Sequence, residues 1–167
     1  MRYKIAEYQQ DKYKFRMYDN TRRLTWQKIQ KETGCYAIIN LSYFDLITYQ
    51  HRAALMIAGE WVHGVNWHEY GLLVDNEGRL TVGTEDKATY DYAIGCPSVY
   101  INGRLYKNDP RESNGWTYTG VKADGTVVAL LCSKDTPETT DSLEAVLRAR
   151  GCIHILRWDG SWSSQGT

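Results

Sequence analysis

Apolar positions along this chain fall mostly into short alternating or continuous runs, and only two stretches have helical spacing. "RYKIAEY" and "KYKFRMY" near the start alternate and are rich in Tyr, which predicts strands. "LTWQKIQKETG" changes period. Trp26, Ile29 and Thr33 fall near one face, Thr25 can cap the start, and Gly34 supplies the stop of a helix. The apolar run "CYAIIN" after it suits a buried strand. Four β-rich stretches come next: "AALMIAGEWV", "YGLLVDNEGRLTVG", "DYAIGCPSVYINGRLY" and "WTYTGVKADGTVVALLC". The last three are split by turn signals at 76–78, 102–103 and 123–125, so each reads as a hairpin. "TTDSLEAVLRARG" returns to helical spacing, with Leu143, Val146 and Leu147 as its apolar stripe. Asp141 and Glu144 there have capping-box spacing, and Gly151 ends the segment. "CIHILRW" closes the pattern as another buried-strand candidate.

The pattern contains an echo. A helix, Gly34-Cys35, an apolar run and the polar loop "NLSYFD" recur as a helix, Gly151-Cys152, an apolar run and "DGSWSS". If both runs were parallel strands of one sheet, the two polar loops would leave it at one edge, where open sheets tend to hold ligands. The expected fold is therefore α+β: a mostly β mixed sheet with two helix–strand units whose polar loops share one edge. No linker or low-complexity tract interrupts residues 1–167, which predicts a single domain.

Composition narrows the function. Lys plus Arg and Asp plus Glu are 20 each, for zero formal net charge, so a nucleic-acid polymer is not an expected partner. A small phosphate-bearing ligand remains open, because a few local donors can hold one. The 13 Tyr and 6 Trp suit strand faces and the walls of sugar or base pockets equally. The charged start "MRYKIAEYQQDKYKF" has no apolar core of a signal peptide, and no run approaches a membrane span, so a cytoplasmic protein without membrane contact is expected. Cys35, Cys96, Cys132 and Cys152 are widely spaced and read as free thiols; His63 and His68 lack ligand spacing. No spacing supports a metal site, and the sequence leaves the cofactor and the metal requirement open. The Tyr-rich start and the two polar loops admit a homo-oligomer.

Four motifs in order give the chain a resemblance. Asn40-Leu41-Ser42-Tyr43-Phe44 is similar to an Asn-Gly-Gly-Phe-Phe strand end, and "GCPSVYINGR" to a Gly-Gly-Pro stretch before a hairpin. Trp116-Thr117-Tyr118-Thr119-Gly120 is similar to Arg-Thr-Ala-Ile-Gly, and the segment from Trp158 through Asp159, Gly160, Ser161, Trp162 and Ser163 to Ser164 to Leu-Asp-Gly-Gly-Gly-Ser-Ser. With these motifs the chain resembles the phosphodiester glycosidase family, in particular the compact members of phages and prophages. The resemblance implies a hydrolase of phosphodiester-linked sugars or nucleotides. Two departures matter: glycines of the terminal loop have become Ser161 and Trp162, and the family arginine has become Trp116. Glycine lets backbone N–H groups approach an anion, and arginine clamps phosphate with two bonds.

The chemistry then has candidate carriers. Asp159 is the expected acid, base or electrostatic stabiliser. Asn40, Ser42, Tyr43, Thr117, Gly160, Ser161, Trp162, Ser163 and Ser164 are expected around the ligand, with Lys134 and Arg157 as candidate positive charges. Asp-Gly-Ser after a strand is also an ordinary turn signature, in which Asp159 would only cap. No serine-hydrolase elbow, P-loop or dinucleotide fingerprint occurs. Two other classes compete with the hydrolase. One is a phage sponge that sequesters a cyclic or ADP-ribose-type nucleotide; the other is a wall-binding accessory module of a virion or lysis cassette.

Overall fold

Tight hairpin turns organise the sheets. The computed structural model describes residues 3–41, 53–63, 70–84, 90–95, 97–106 and 114–160. In chain order the elements are β1 (Tyr3–Tyr8), α1 (Trp26–Thr33), β2 (Leu55–Ile57), β3 (Glu60–His63), β4 (Gly71–Val74) and β5 (Leu80–Gly83). Then come β6 (Tyr92–Gly95), β7 (Ser98–Ile101), β8 (Arg104–Leu105), β9 (Trp116–Lys122), β10 (Val127–Cys132), α2 (Thr140–Ala149) and β11 (Cys152–Gly160). The hairpins β4–β5, β7–β8 and β9–β10 form at the three expected turns. At Asn102-Gly103 both residues have positive φ, +52° and +74°, the twist that a two-residue hairpin needs and that Asn-Gly tolerates best. Asp75 accepts from the N–H groups of Glu77 and Arg79, and Asp124 from that of Thr126, which closes the other two turns.

The strands form a six-stranded sheet ordered β1-β10-β9-β11-β7-β8 and a five-stranded sheet ordered β3-β2-β6-β4-β5. All pairings among the described residues are antiparallel, so the expected mixed sheet is corrected to two antiparallel ones. The correction traces to "CYAIIN", which builds no ladder: Tyr36 is 75% exposed, and only Ile39 makes a single bridge. The Gln30 side chain of α1 donates to the carbonyls of Cys35 and Tyr36, so a helix side chain takes acceptors that a strand would have used. "KYKFRMY" also lies outside the strands. Its burial still alternates, with Phe15 and Met17 packed on the core, but the Phe15 N–H bonds to the Gly78 carbonyl rather than joining a ladder.

Two apolar layers cover the two faces of the six-stranded sheet. Leu55, Leu72, Val74 and Ile94 of the smaller sheet pack against Val121, Val127, Leu156 and Trp158. On the other face, Leu143 and Leu147 of α2 pack against Tyr118, Val128, Leu130 and Ile155. Gly120 lets α2 and β11 come close there, since a Cβ on it would stand 2.5 Å from Cys152 Sγ. The N-cap of α2 is Thr139, whose hydroxyl accepts from the Ser142 N–H, and not Asp141 as the capping-box spacing suggests. Asp141 instead sits in the first turn, where its charge complements the helix dipole.

Glu7 ties β1 to its surroundings through Lys122 at 2.7 Å and Arg150 at 3.1 Å. The Lys122 hydrogen bond leads the causes that hold its carboxyl below the ordinary 4.5. A depressed carboxyl contributes stability above 4.5 that is lost as pH falls through the lowered value. Glu7→Gln is therefore expected to cost less than about 1 kcal/mol at neutral pH, given solvent screening, and to make acid destabilisation shallower. Thermal melts across that range check it; identical acid slopes would remove the role.

Candidate functional site

One end of the six-stranded sheet gathers most of the described candidates. β9 starts at Trp116, paired with Cys132 at the end of β10 and with Gly160 at the end of β11. β7 starts nearby at Ser98, opposite Leu156. Between Arg157, opposite Tyr118, and Gly160, opposite Trp116, β11 advances three residues while β9 advances two. The extra residue is a β-bulge, a device that bends a strand and re-aims the residues beyond it. Asp159 therefore stands in the bulge, at the last step of β11. Ser42, Tyr43, Ser161, Trp162, Ser163 and Ser164 lie outside the described residues, as does Cys96.

Side-chain alternation separates the candidates onto two faces. Thr117 shares with Thr119, Leu156 and Trp158 the face that meets the smaller sheet, where the Trp158 indole N–H donates to Thr119 Oγ1 at 2.9 Å. Ile39 borders a groove of about 240 Å³ with Lys4, Ala6, Tyr8, Ala129 and Leu131, and Leu41 packs against the core of this same face. The segment that carries Asn40 thus lies over the β1–β10 pair, packing on the sheet rather than joining a ladder. Among the described residues, the buried Asn40 Nδ2, Ser98 Oγ and Thr117 Oγ1 make no hydrogen bond. Buried polar atoms are nearly always satisfied, so these orphans, Thr117 and Ser98 at one sheet end and Asn40 on the segment after α1, are what a polar ligand or ordered water would answer.

Arg157 and Trp116 point the other way, toward α2. Arg157 is only 3% exposed, so it is not a solvated surface cation, and its pairing with Tyr118 puts it on the face opposite that of Thr117. Its guanidinium lies 5.4 Å from the centre of the Trp116 ring. The Tyr118 hydroxyl meets it and donates to Glu144 Oε1 at 3.2 Å. Desolvation raises the Glu144 carboxyl, with the Tyr118 hydrogen bond and the Arg157 charge opposing that rise. Lys134 is exposed, two residues beyond β10 at the same sheet end.

Glu144, Tyr118 and Ser98 are site neighbours that the sequence pattern does not single out. Glu144 has a readable signal all the same: Thr140, Leu143, Glu144 and Leu147 recur at helical spacing, which places the carboxylate on the buried stripe. Burial pushes the Cys152 thiol up to about 11 and raises that of Cys132, so neither is an activated nucleophile. Among the described residues no group of three His, Cys, Asp or Glu is placed to hold a metal ion, and no helix is long and apolar enough to cross a membrane.

A larger cleft, of about 860 Å³, opens at the opposite end of β11, beside Ile153 and His154. Three of its polar lining residues serve the fold itself. Asp75 and Asp124 cap their turns, and Gln10 bridges the two sheets by donating to the Leu80 and Gly125 carbonyls and accepting from the Leu80 N–H. The cleft is separated from Asp159 by most of a nine-residue strand, roughly 20 Å.

No protein-family model and no curated protein sequence matches the chain. Solved structures do match in fold. The catalytic domain of zebrafish N-acetylglucosamine-1-phosphodiester α-N-acetylglucosaminidase, auto-inhibited by its pro-peptide, superposes with a TM-score of 0.66 at 16% identity, over 82% of this chain and 54% of that one. A hypothetical protein from Synechocystis matches with a TM-score of 0.66 at 9% identity, over 99% of this chain and 52% of that one. The chain thus shares the fold of these structures and spans about half their length.

Proposed function

We propose that this chain is a hydrolase of phosphodiester-linked sugars or nucleotides, acting where β11 leaves the six-stranded sheet. The observation that carries the reading is the fold shared with the catalytic domain of a phosphodiester glycosidase, over 82% of this chain. The unpartnered Thr117 and Ser98 hydroxyls at that sheet end support the location. In this reading Gly160, Ser161, Ser163 and Ser164 hold phosphate oxygens from one side, with Asn40, Ser42 and Tyr43 on the other, and Trp162 stacks on a ring. Asp159 assists the attack of water. Water attacks the glycosidic carbon and the bond from that carbon to the bridging phosphate oxygen breaks; the hydroxyl stays on the sugar and the second proton passes to the departing phosphate monoester or to bulk water. Attack at phosphorus would instead break a P–O bond, leaving the water oxygen on the phosphate and a proton on the departing alcohol.

The test is incubation with α-N-acetylglucosamine 1-phosphate methyl diester, a cyclic dinucleotide and ADP-ribose, with mass spectrometry before and after denaturing the protein. Hydrolysis of one member is the expected result. Reaction in ¹⁸O-labelled water identifies the bond, because the label appears in the sugar or in the phosphate. A ligand that leaves solution and returns intact on denaturation would replace the hydrolase by a sequestering protein. If no member is bound or cleaved, the phosphate site at 159–164 is abandoned.

A further inference from the structure

We propose that Arg157 is a positioning residue that, through Tyr118 and Glu144, ties the last turn of β11 to helix α2 and so fixes the direction in which the chain leaves the sheet after Asp159. The inference rests on the reading of that sheet end as the site, but its structural half can be tested without it. Arg157 lies two residues before Asp159 and immediately before the bulge. Its backbone N–H donates to the Pro97 carbonyl at 3.1 Å, so the strand is gripped from the β7 side as well. Its buried side chain lies over the Trp116 ring and meets the Tyr118 hydroxyl, through which it is linked to Glu144 of the helix. Glu144 is 7% exposed and Tyr118 fully buried.

A charge buried on both partners is a poor device for stability, since well-packed apolar residues of similar size often do as well or better. What it does supply is direction. An apolar contact tolerates sliding, whereas a guanidinium set over a ring face and against a hydroxyl that is itself hydrogen-bonded to a carboxylate is restricted in direction. The arrangement sits on the central strand pair, where a shift would propagate directly into residues 158–160. A bulge without such a pin can migrate along its strand, and a one-residue slip reverses the face of every position beyond it, Asp159 included.

The experiment separates position from stability by replacing the network with apolar groups: Tyr118→Phe, Glu144→Met and Arg157→Met together. Amide hydrogen exchange at 158–160, the thermal midpoint, and kcat and KM for α-N-acetylglucosamine 1-phosphate methyl diester are measured. The expected result is a midpoint at or above that of the parent with exchange at 158–160 faster by about tenfold. Turnover should fall by about 10²-fold with KM nearly unchanged, the signature of a misplaced group. A triple variant with parental stability and parental exchange at 158–160 overturns the proposal. If the triple variant does not fold, Glu144→Gln decides, because it keeps an acceptor for Tyr118 and removes only the charge; unchanged exchange there overturns the proposal equally. A parent that leaves the diester intact counts against the hydrolase reading alone, since exchange still reports on the pin.

Discussion

Trp158→Ala is expected to destabilise the chain by about 3–5 kcal/mol, a large part of the stability that a domain of this size holds. Trp158 is 0% exposed and belongs to the layer between the two sheets, against residues of both. Removing the indole leaves a cavity that neither sheet can close, because each is held in register by its own ladder. The indole N–H also satisfies Thr119 Oγ1 at 2.9 Å, and that buried hydroxyl would lose its donor. Trp158→Phe separates the two effects: it keeps most of the packing and loses the hydrogen bond, for about 1–2 kcal/mol. Denaturant midpoints read by circular dichroism measure both. A loss below about 1 kcal/mol for the alanine variant would mean that the two sheets do not meet at this residue.

The elements legible in the sequence are those decided locally. Asn102-Gly103 needs no tertiary partner to be a hairpin turn, and Thr25 and Gly34 bracket α1 by capping chemistry alone. A strand is different, because it exists only if another strand receives it. "KYKFRMY" keeps an alternating burial without a ladder, and "CYAIIN" has its first two carbonyls taken by Gln30, a partner that no periodicity announces. The α2 cap escapes the pattern for a narrower reason, that Thr139 and Asp141 are both good caps two residues apart.

The candidate site is partly legible for the same reasons. Asp159 stands out by its local setting, a polar turn after an apolar strand, together with the order of family-like motifs. That the start of β9 and the end of β11 meet at one sheet end is a pairing fact beyond the reach of a linear pattern. Alternation alone makes Arg157 an outward residue of its strand. β11 is covered on both faces, by α2 and by the second sheet, so even its charged position is interior.

Asp159→Asn is expected to lower turnover by about 10²–10⁴-fold, the range for removing a group that transfers a proton in the transition state. The substitution is chosen for what it preserves. Asparagine has nearly the same shape and caps an Asp-Gly turn as well as aspartate does, so a residue that only closes the turn would hardly notice the change. Stability should therefore stay within about 0.5 kcal/mol while activity is lost. The sign of the binding change adds a second discrimination. A carboxylate beside a phosphate repels it, so Asp159→Asn should tighten binding of the uncleaved diester as it abolishes cleavage. Titration calorimetry with the methyl diester measures that affinity alongside the kinetics. Tighter binding with lost turnover places the carboxylate at the reacting phosphodiester. Unchanged turnover and unchanged affinity would return Asp159 to the role of a turn residue and leave the bulge on β11 without a chemical purpose.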